Sequence, residues 1–197
     1  MPYIGLVYYI CKKNIAMYGL VNQAIYGLII DNFGPDIWDK VKAKAEVEQS
    51  HFLSNEKYDD SITYKLAIAA SEVLELPLSD VLISFGKYWV LKTAKQSYGH
   101  LMNSGGNNFE EFIINLPNFH SRVMLLYSDI TPPEFFVEKK EGKMILHYYS
   151  TRPGLTDFML GLIHGLAEFY STDIKVALLE NRNNGHDHDV FEVAIVQ

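Results

Sequence analysis

The sequence is poor in several things that would decide its class quickly. It has one cysteine in 197 residues, Cys11. That excludes an intramolecular disulfide and a cysteine-rich zinc site, and it is compatible with a reducing cytoplasm. No apolar run reaches the ~20 residues that a membrane-spanning helix needs. Positive charge is in deficit: 17 Lys and Arg face 24 Asp and Glu, a net charge of −7. A nucleic acid or an anionic membrane is therefore a poor main partner. Repeats and low-complexity tracts are missing, as are a nucleophile elbow, a phosphate-binding loop and a paired-carboxylate site. What remains is 48% hydrophobic with 13% aromatic residues, enough to bury a core within one domain or one domain of two lobes.

The first sixteen residues, MPYIGLVYYICKKNIA, stand apart. Their apolar run precedes its lysines, the reverse of a secretory signal. They are expected to be an extension, non-native or poorly ordered, with the domain proper spanning 17–197. Helical spacing then marks 17–33 through Val21, Ala24, Ile25, Leu28 and Ile29, and a new helix begins at Pro35. Residues 49–60 are polar and expected to be loop. Asp60 or Ser61 is placed to cap a helix through Leu74, and Ser79 or Asp80 another containing Phe85, Tyr88 and Trp89. Helices are expected over 91–106 and 108–127, the second with Pro117 as a possible kink. After Pro132–Pro133 the texture changes. Strands are expected at 134–139, 143–151, 173–180 and 189–196, with a helix at 155–170. Helices first and then strands with one helix indicate α+β, with an antiparallel sheet in the C-terminal lobe.

Two features point to a ligand. His120 shares the apolar face of Ile113 and Leu116. A satisfied core histidine is the ordinary explanation; an axial ligand to haem iron is the alternative, since that needs a neutral imidazole on a rigid element. The stretch LHYYSTRPG puts Tyr148, Ser150 and Arg152 on one strand face, about 6–7 Å apart. These neutral and cationic donors suit two separated anionic groups, such as haem propionates. Another dianion, a dicarboxylate or a linear tetrapyrrole, would satisfy the same face. His186 and His188 flank Asp187 at a metal-ligating spacing, but no third ligand is evident, and a surface role at a hairpin end is expected. Gly161 and Gly165, beside His164, suggest close helix packing.

With these residues in view, the chain resembles the H-NOX family, the haem nitric-oxide/oxygen-binding domains, which include the N-terminal domain of the soluble guanylate cyclase β subunit. The resemblance runs from MYGLVNQAI at Met17 nearly to the C-terminus. It includes Tyr148-x-Ser150-x-Arg152, His120 in NLPNFHSRV, Pro133 in DITPPEF, and the phrases FGKYW and LGLIHGL. It implies non-covalent haem b between a helical lobe and the sheet-bearing lobe, with His120 on iron. Tyr148, Ser150 and Arg152 would hold the propionates and Pro133 would pack on the porphyrin. Met17, Val21, Trp89 and Phe158 would also line the cofactor. A distal tyrosine in oxygen-binding members corresponds, with a one-residue offset, to Phe158, which has no donor. The resemblance therefore implies a sensor, not an enzyme: a five-coordinate ferrous haem that binds NO and CO but not O2. The Trp89 indole is expected to point elsewhere or act as a wall. NO would weaken the bond to His120 and free its helix to shift. With no room for an output domain, the signal is expected to pass to a separate histidine kinase or diguanylate cyclase in the cytoplasm.

Overall fold

The computed structural model describes residues 16–127 and 131–196. The expectations for the N-terminal extension fall mostly on residues outside that set. Ala16 is described, and it opens strand β1, Ala16–Tyr18, which pairs antiparallel with β2, Lys57–Asp59. Between and after these strands lie α1 (Gly19–Phe33), α2 (Pro35–Lys44), α3 (Asp60–Leu74) and α4 (Leu78–Tyr88). A π-helical stretch, Trp89–Ala94, joins α4 to α5 (Lys95–Gly105), and α6 follows at Phe109–Met124. The second half holds β3 (Glu134–Lys140), β4 (Lys143–Tyr149), α7 (Thr156–Phe169), β5 (Ile174–Glu180) and β6 (Asp189–Ile195). The large sheet is antiparallel in the order β3-β4-β6-β5. This is the α+β architecture expected, with two lobes.

Each lobe has its own core. In the helical lobe Ala24, Ile25 and Ile29 of α1 meet Val41 of α2, Leu66 and Ala70 of α3, and Phe85 of α4. In the sheet lobe Phe112 and Ile113 of α6 pack with Leu146 of β4, Met159 and Ile163 of α7, and Phe191 and Val193 of β6. Burying such side chains stabilises the fold by ~1.5–3 kcal/mol each. Trp89 packs against both cores, so the π-helical stretch lies at the seam. The lobes are drawn together where α4 crosses α7. A Cβ on Gly86 would lie 2.3 Å from the Phe158 carbonyl oxygen, and one on Gly161 2.2 Å from that of Ile83. Glycine is needed for that approach, as the glycines beside His164 suggested.

Several local expectations are corrected. The region 49–60 is not all loop, because Lys57–Asp59 forms the three-residue β2 paired with β1. The cap of α3 is Asp59, whose carboxylate accepts from Ser61 N–H at 2.8 Å. Neither Ser79 nor Asp80 caps α4; the chain enters it directly from Pro77. Helix α6 runs through Pro117 and is capped by Asn108, which accepts from Glu111 N–H at 2.9 Å. Strand β4 ends at Tyr149 rather than 151. The Ser150 hydroxyl there accepts from Arg152 N–H at 3.1 Å, turning the chain out of the sheet before Pro153 and Gly154.

Candidate functional site

Helix α6 presents His120 one turn beyond the buried Leu116. The imidazole is half-buried and has no hydrogen-bond partner among the described residues. Desolvation pushes its pKa down to about 4, so the ring is neutral at physiological pH. Its one ring contact is edge-on to Phe135 of β3, with centroids 4.9 Å apart. Phe135 in turn lies 5.5 Å from the ring of Tyr148 on β4. His120 and the start of the Tyr-x-Ser-x-Arg segment thus share one region, bridged by a single phenyl ring. A neutral, unpartnered imidazole is the donor a metal centre requires. A core histidine satisfied by hydrogen bonds, the ordinary alternative, does not describe this side chain.

Tyr148 is buried, and burial pushes its phenol pKa up. Ser150 is half-buried and spends an acceptor position on the local turn. Arg152 is buried and extensively held. Its Nε donates to Asp60 Oδ2 at 2.9 Å, Nη1 to the Thr131 carbonyl at 3.1 Å, and Nη2 to the Ala16 carbonyl at 3.0 Å. Arg152 therefore gathers three segments at the seam: the start of α3, β1, and the chain just before Pro132–Pro133. The sequence offered only a ligand's carboxylates as its counter-charge, whereas the protein supplies Asp60. A guanidinium carries five N–H donors, so two remain for an anionic ligand. Asp60 Oδ1 is buried with no partner among the described residues. Desolvation raises the Asp60 pKa, opposed by the neighbouring Arg152.

The remaining expected residues come from β1, α1, the π-helical stretch, α7 and the segment before β3. Met17 is half-buried in β1, with Thr63 Oγ1 3.5 Å from its sulfur. Val21, Trp89 and Phe158 pack on the helical core, and the Phe158 ring lies tilted against Phe85 with centroids 4.7 Å apart. The Trp89 indole N–H finds no acceptor among the described residues. Pro133 is half-buried immediately before β3. Sequence reasoning missed Asp60, and also Asn22, which is fully buried and lies 2.6 Å from the Thr63 hydroxyl. A polar residue within an apolar helical face was the available signal for Asn22. For Asp60 there was none beyond the pair Asp59–Asp60.

The donor set suits a haem: one neutral imidazole, a buried guanidinium with spare N–H groups, and a largely aromatic surround. Comparison with known proteins agrees. The model of the Haem-NO-binding family matches residues 18–178. A soluble guanylate cyclase of Caenorhabditis elegans, gcy-33, is 28% identical over 171 residues, covering 86% of this chain but 18% of that protein. The rat guanylate cyclase soluble subunit beta-2 is 35% identical over 120 residues, 57% of this chain and 18% of its own length. The chain thus spans under a fifth of either cyclase. Among solved structures, an H-NOX protein from S. oneidensis in the Fe(II)NO state superposes with a TM-score of 0.83 at 18% identity, covering 92% of this chain and 100% of that one. The unliganded Fe(II) H-NOX protein from K. algicida gives 0.80 at 23% identity, covering 92% and 97%. These two likenesses establish the fold; the family match over 18–178 goes further, and the chain belongs to the Haem-NO-binding, or H-NOX, family of haem-based gas-sensor domains.

Proposed function

We propose that this chain binds haem b through His120, senses NO and CO while forming no stable complex with O2, and passes the signal to a separate protein. The observation that carries the reading is His120: neutral, unpartnered, and joined through Phe135 to the Tyr148 segment. The bound haem supplies the ferrous iron at which a diatomic gas is captured. The chain supplies the rest. His120 offers its imidazole without first having to lose a proton. Arg152, braced by Asp60 and two carbonyls, offers two further N–H groups to the propionates, and Tyr148 and Ser150 add hydroxyls. Pro133, Met17, Val21, Trp89 and Phe158 supply apolar lining.

Gas selectivity rests on Phe158. Bound O2 draws negative charge onto itself and is favoured by a nearby donor, which a phenyl ring lacks. NO and CO need no such donor. Signalling rests on α6, whose position is read by a partner only if that partner distinguishes two states of the helix. A cytoplasmic histidine kinase or diguanylate cyclase suits this role.

Visible spectra of the reduced protein test the reading. A sharp Soret band with changes on adding NO and CO, and none persisting in air, is expected. His120→Gly should remove haem or the ferrous signature of its proximal ligand. An unchanged ferrous spectrum in that variant would overturn the ligand assignment, and a stable oxy spectrum in the wild type would overturn the selectivity.

A further inference from the structure

On the far side of the large sheet, away from His120, the β5–β6 connection carries the sequence GHDHDVF. Sequence spacing offered His186 and His188 as a two-histidine pattern lacking a third ligand. The fold supplies more. Ligand atoms of Glu180, at the end of β5, and of Asp187 and His188 all lie within 4.8 Å of one another. His186 Nδ1 lies 3.5 Å from Glu180 Oε2. His188 is not the surface residue expected: it is 9% exposed and stacks on Tyr149 with ring centroids 4.0 Å apart. Its Nδ1 faces Asp187, and its Nε2 is 2.9 Å from His147 Nδ1.

Behind His188 the cluster continues into a histidine pair. His147 Nε2 is shielded from solvent and has no hydrogen-bond partner among the described residues. Glu138 Oε1 lies 3.8 Å from it. If His188 Nδ1 binds a cation, its proton resides on Nε2 and is donated to His147 Nδ1. His147 then carries its own proton on Nε2, directed at Glu138. The result is a carboxylate–histidine–histidine chain ending on a ligand atom, the arrangement that orients metal-bound imidazoles and raises their basicity.

We propose that Glu180, Asp187 and His188, with His186 as the fourth ligand, form a binding site for a divalent transition metal of the zinc type. Two carboxylates and two imidazoles make a borderline N/O donor set that suits Zn2+ or Ni2+ and is poor for Ca2+. Binding separates the Asp187 carboxylate from its hydrogen bond with His188 by a rotation of an exposed side chain, 79% accessible. The site belongs to the same hairpin as Arg182, which donates to the carbonyls of Ser150 and Arg152. It is independent of the haem reading, because none of its ligands takes part in that site.

Equilibrium dialysis of the purified, tag-free protein against Zn2+ tests it, with zinc-edge X-ray absorption on the loaded sample. One equivalent of Zn2+ per chain is expected, in a shell of nitrogen and oxygen with imidazole scattering. Glu180→Gln, at a half-buried strand end, and Asp187→Asn, at an exposed position, should each weaken uptake at least tenfold while leaving the circular dichroism spectrum unchanged. His51→Gln and His100→Gln should leave uptake intact. Absence of stoichiometric uptake, sulfur in the zinc shell, or uptake lost through His51 or His100 instead would overturn the proposal.

Discussion

Replacing Arg152 with Met should destabilise the protein far more than replacing its partner Asp60 with Asn, even though both changes break the same ion pair. The two are buried to 7% and 1% exposure and joined at 2.9 Å. In Arg152→Met the Asp60 carboxylate loses both influences that lower its pKa and keeps the desolvation that raises it. The Thr131 and Ala16 carbonyls lose a donor as well. Removing one partner of a buried pair costs about 3–5 kcal/mol. Asp60→Asn acts differently. Desolvation raises the pKa of this carboxyl against the influence of Arg152, so burial already offsets part of what its charge contributes. An amide keeps an oxygen for Arg152 Nε, and the guanidinium keeps its two carbonyl acceptors, so a smaller cost of about 1–2 kcal/mol is expected. The sign of the pH effect follows. A carboxyl whose folded pKa is raised contributes stability that is present at low pH and lost as pH rises through that pKa. In Arg152→Met the raised value climbs further, so the variant's deficit should shrink as the pH is lowered from neutral. Urea denaturation of the haem-free protein, followed by far-UV circular dichroism, reads all of this. With a slope of ~2 kcal/mol per molar, Arg152→Met should lower the midpoint by about 1.5–2.5 M. Equal losses in the two variants, or a deficit that grows on acidification, would refute the reasoning.

Two other perturbations separate gas selectivity from packing. Phe158→Tyr places a phenol against Phe85, 4.7 Å away, and should introduce an oxy spectrum in air. Trp89→Phe, which removes the indole N–H, should leave O2 exclusion unchanged; altered selectivity there would show that Trp89 acts as a donor. Gly161→Ala drives a methyl to 2.2 Å from the Ile83 carbonyl oxygen and should cost about 2–3 kcal/mol, lowering Tm by about 5–10 °C. Gly99→Ala has open space around its Cβ and serves as the control, with no loss in Tm.

The elements that sequence patterning recovered are those with enough length to show a period. Helices α1, α3, α6 and α7 each carry an apolar stripe over three or more turns, and β3 and β4 meet across the turn at Glu141–Gly142. Strands β1 and β2 have three residues each, too few for an alternation to be visible. The early end of β4 was hidden because Tyr148, Ser150 and Arg152 continue the period of two as letters. The backbone departs from it because a serine hydroxyl captures an N–H two residues on. His120 was legible because its neighbours fix its face, whereas the hairpin cluster was half legible: the histidines are adjacent in sequence, but Glu180, Glu138 and His147 come from separate strands.

Asp60 shows most clearly where such reading stops. As one of two adjacent aspartates before a helix it looks like a cap, and its neighbour Asp59 does take that role. Its own partner is 92 residues away. The consequence reaches the site's chemistry. A guanidinium awaiting two propionates would be an unpaired buried charge in their absence, destabilising the empty protein. With Asp60, Thr131 and Ala16 already holding three of its donors, Arg152 is positioned by the protein itself, and the dianion proposed above would meet the two N–H groups left over. The carboxylate that compensates the charge thereby also fixes the orientation of the spare donors, so on the proposed reading a ligand's affinity would depend on α3 and β1 as well as on the strand that carries the motif.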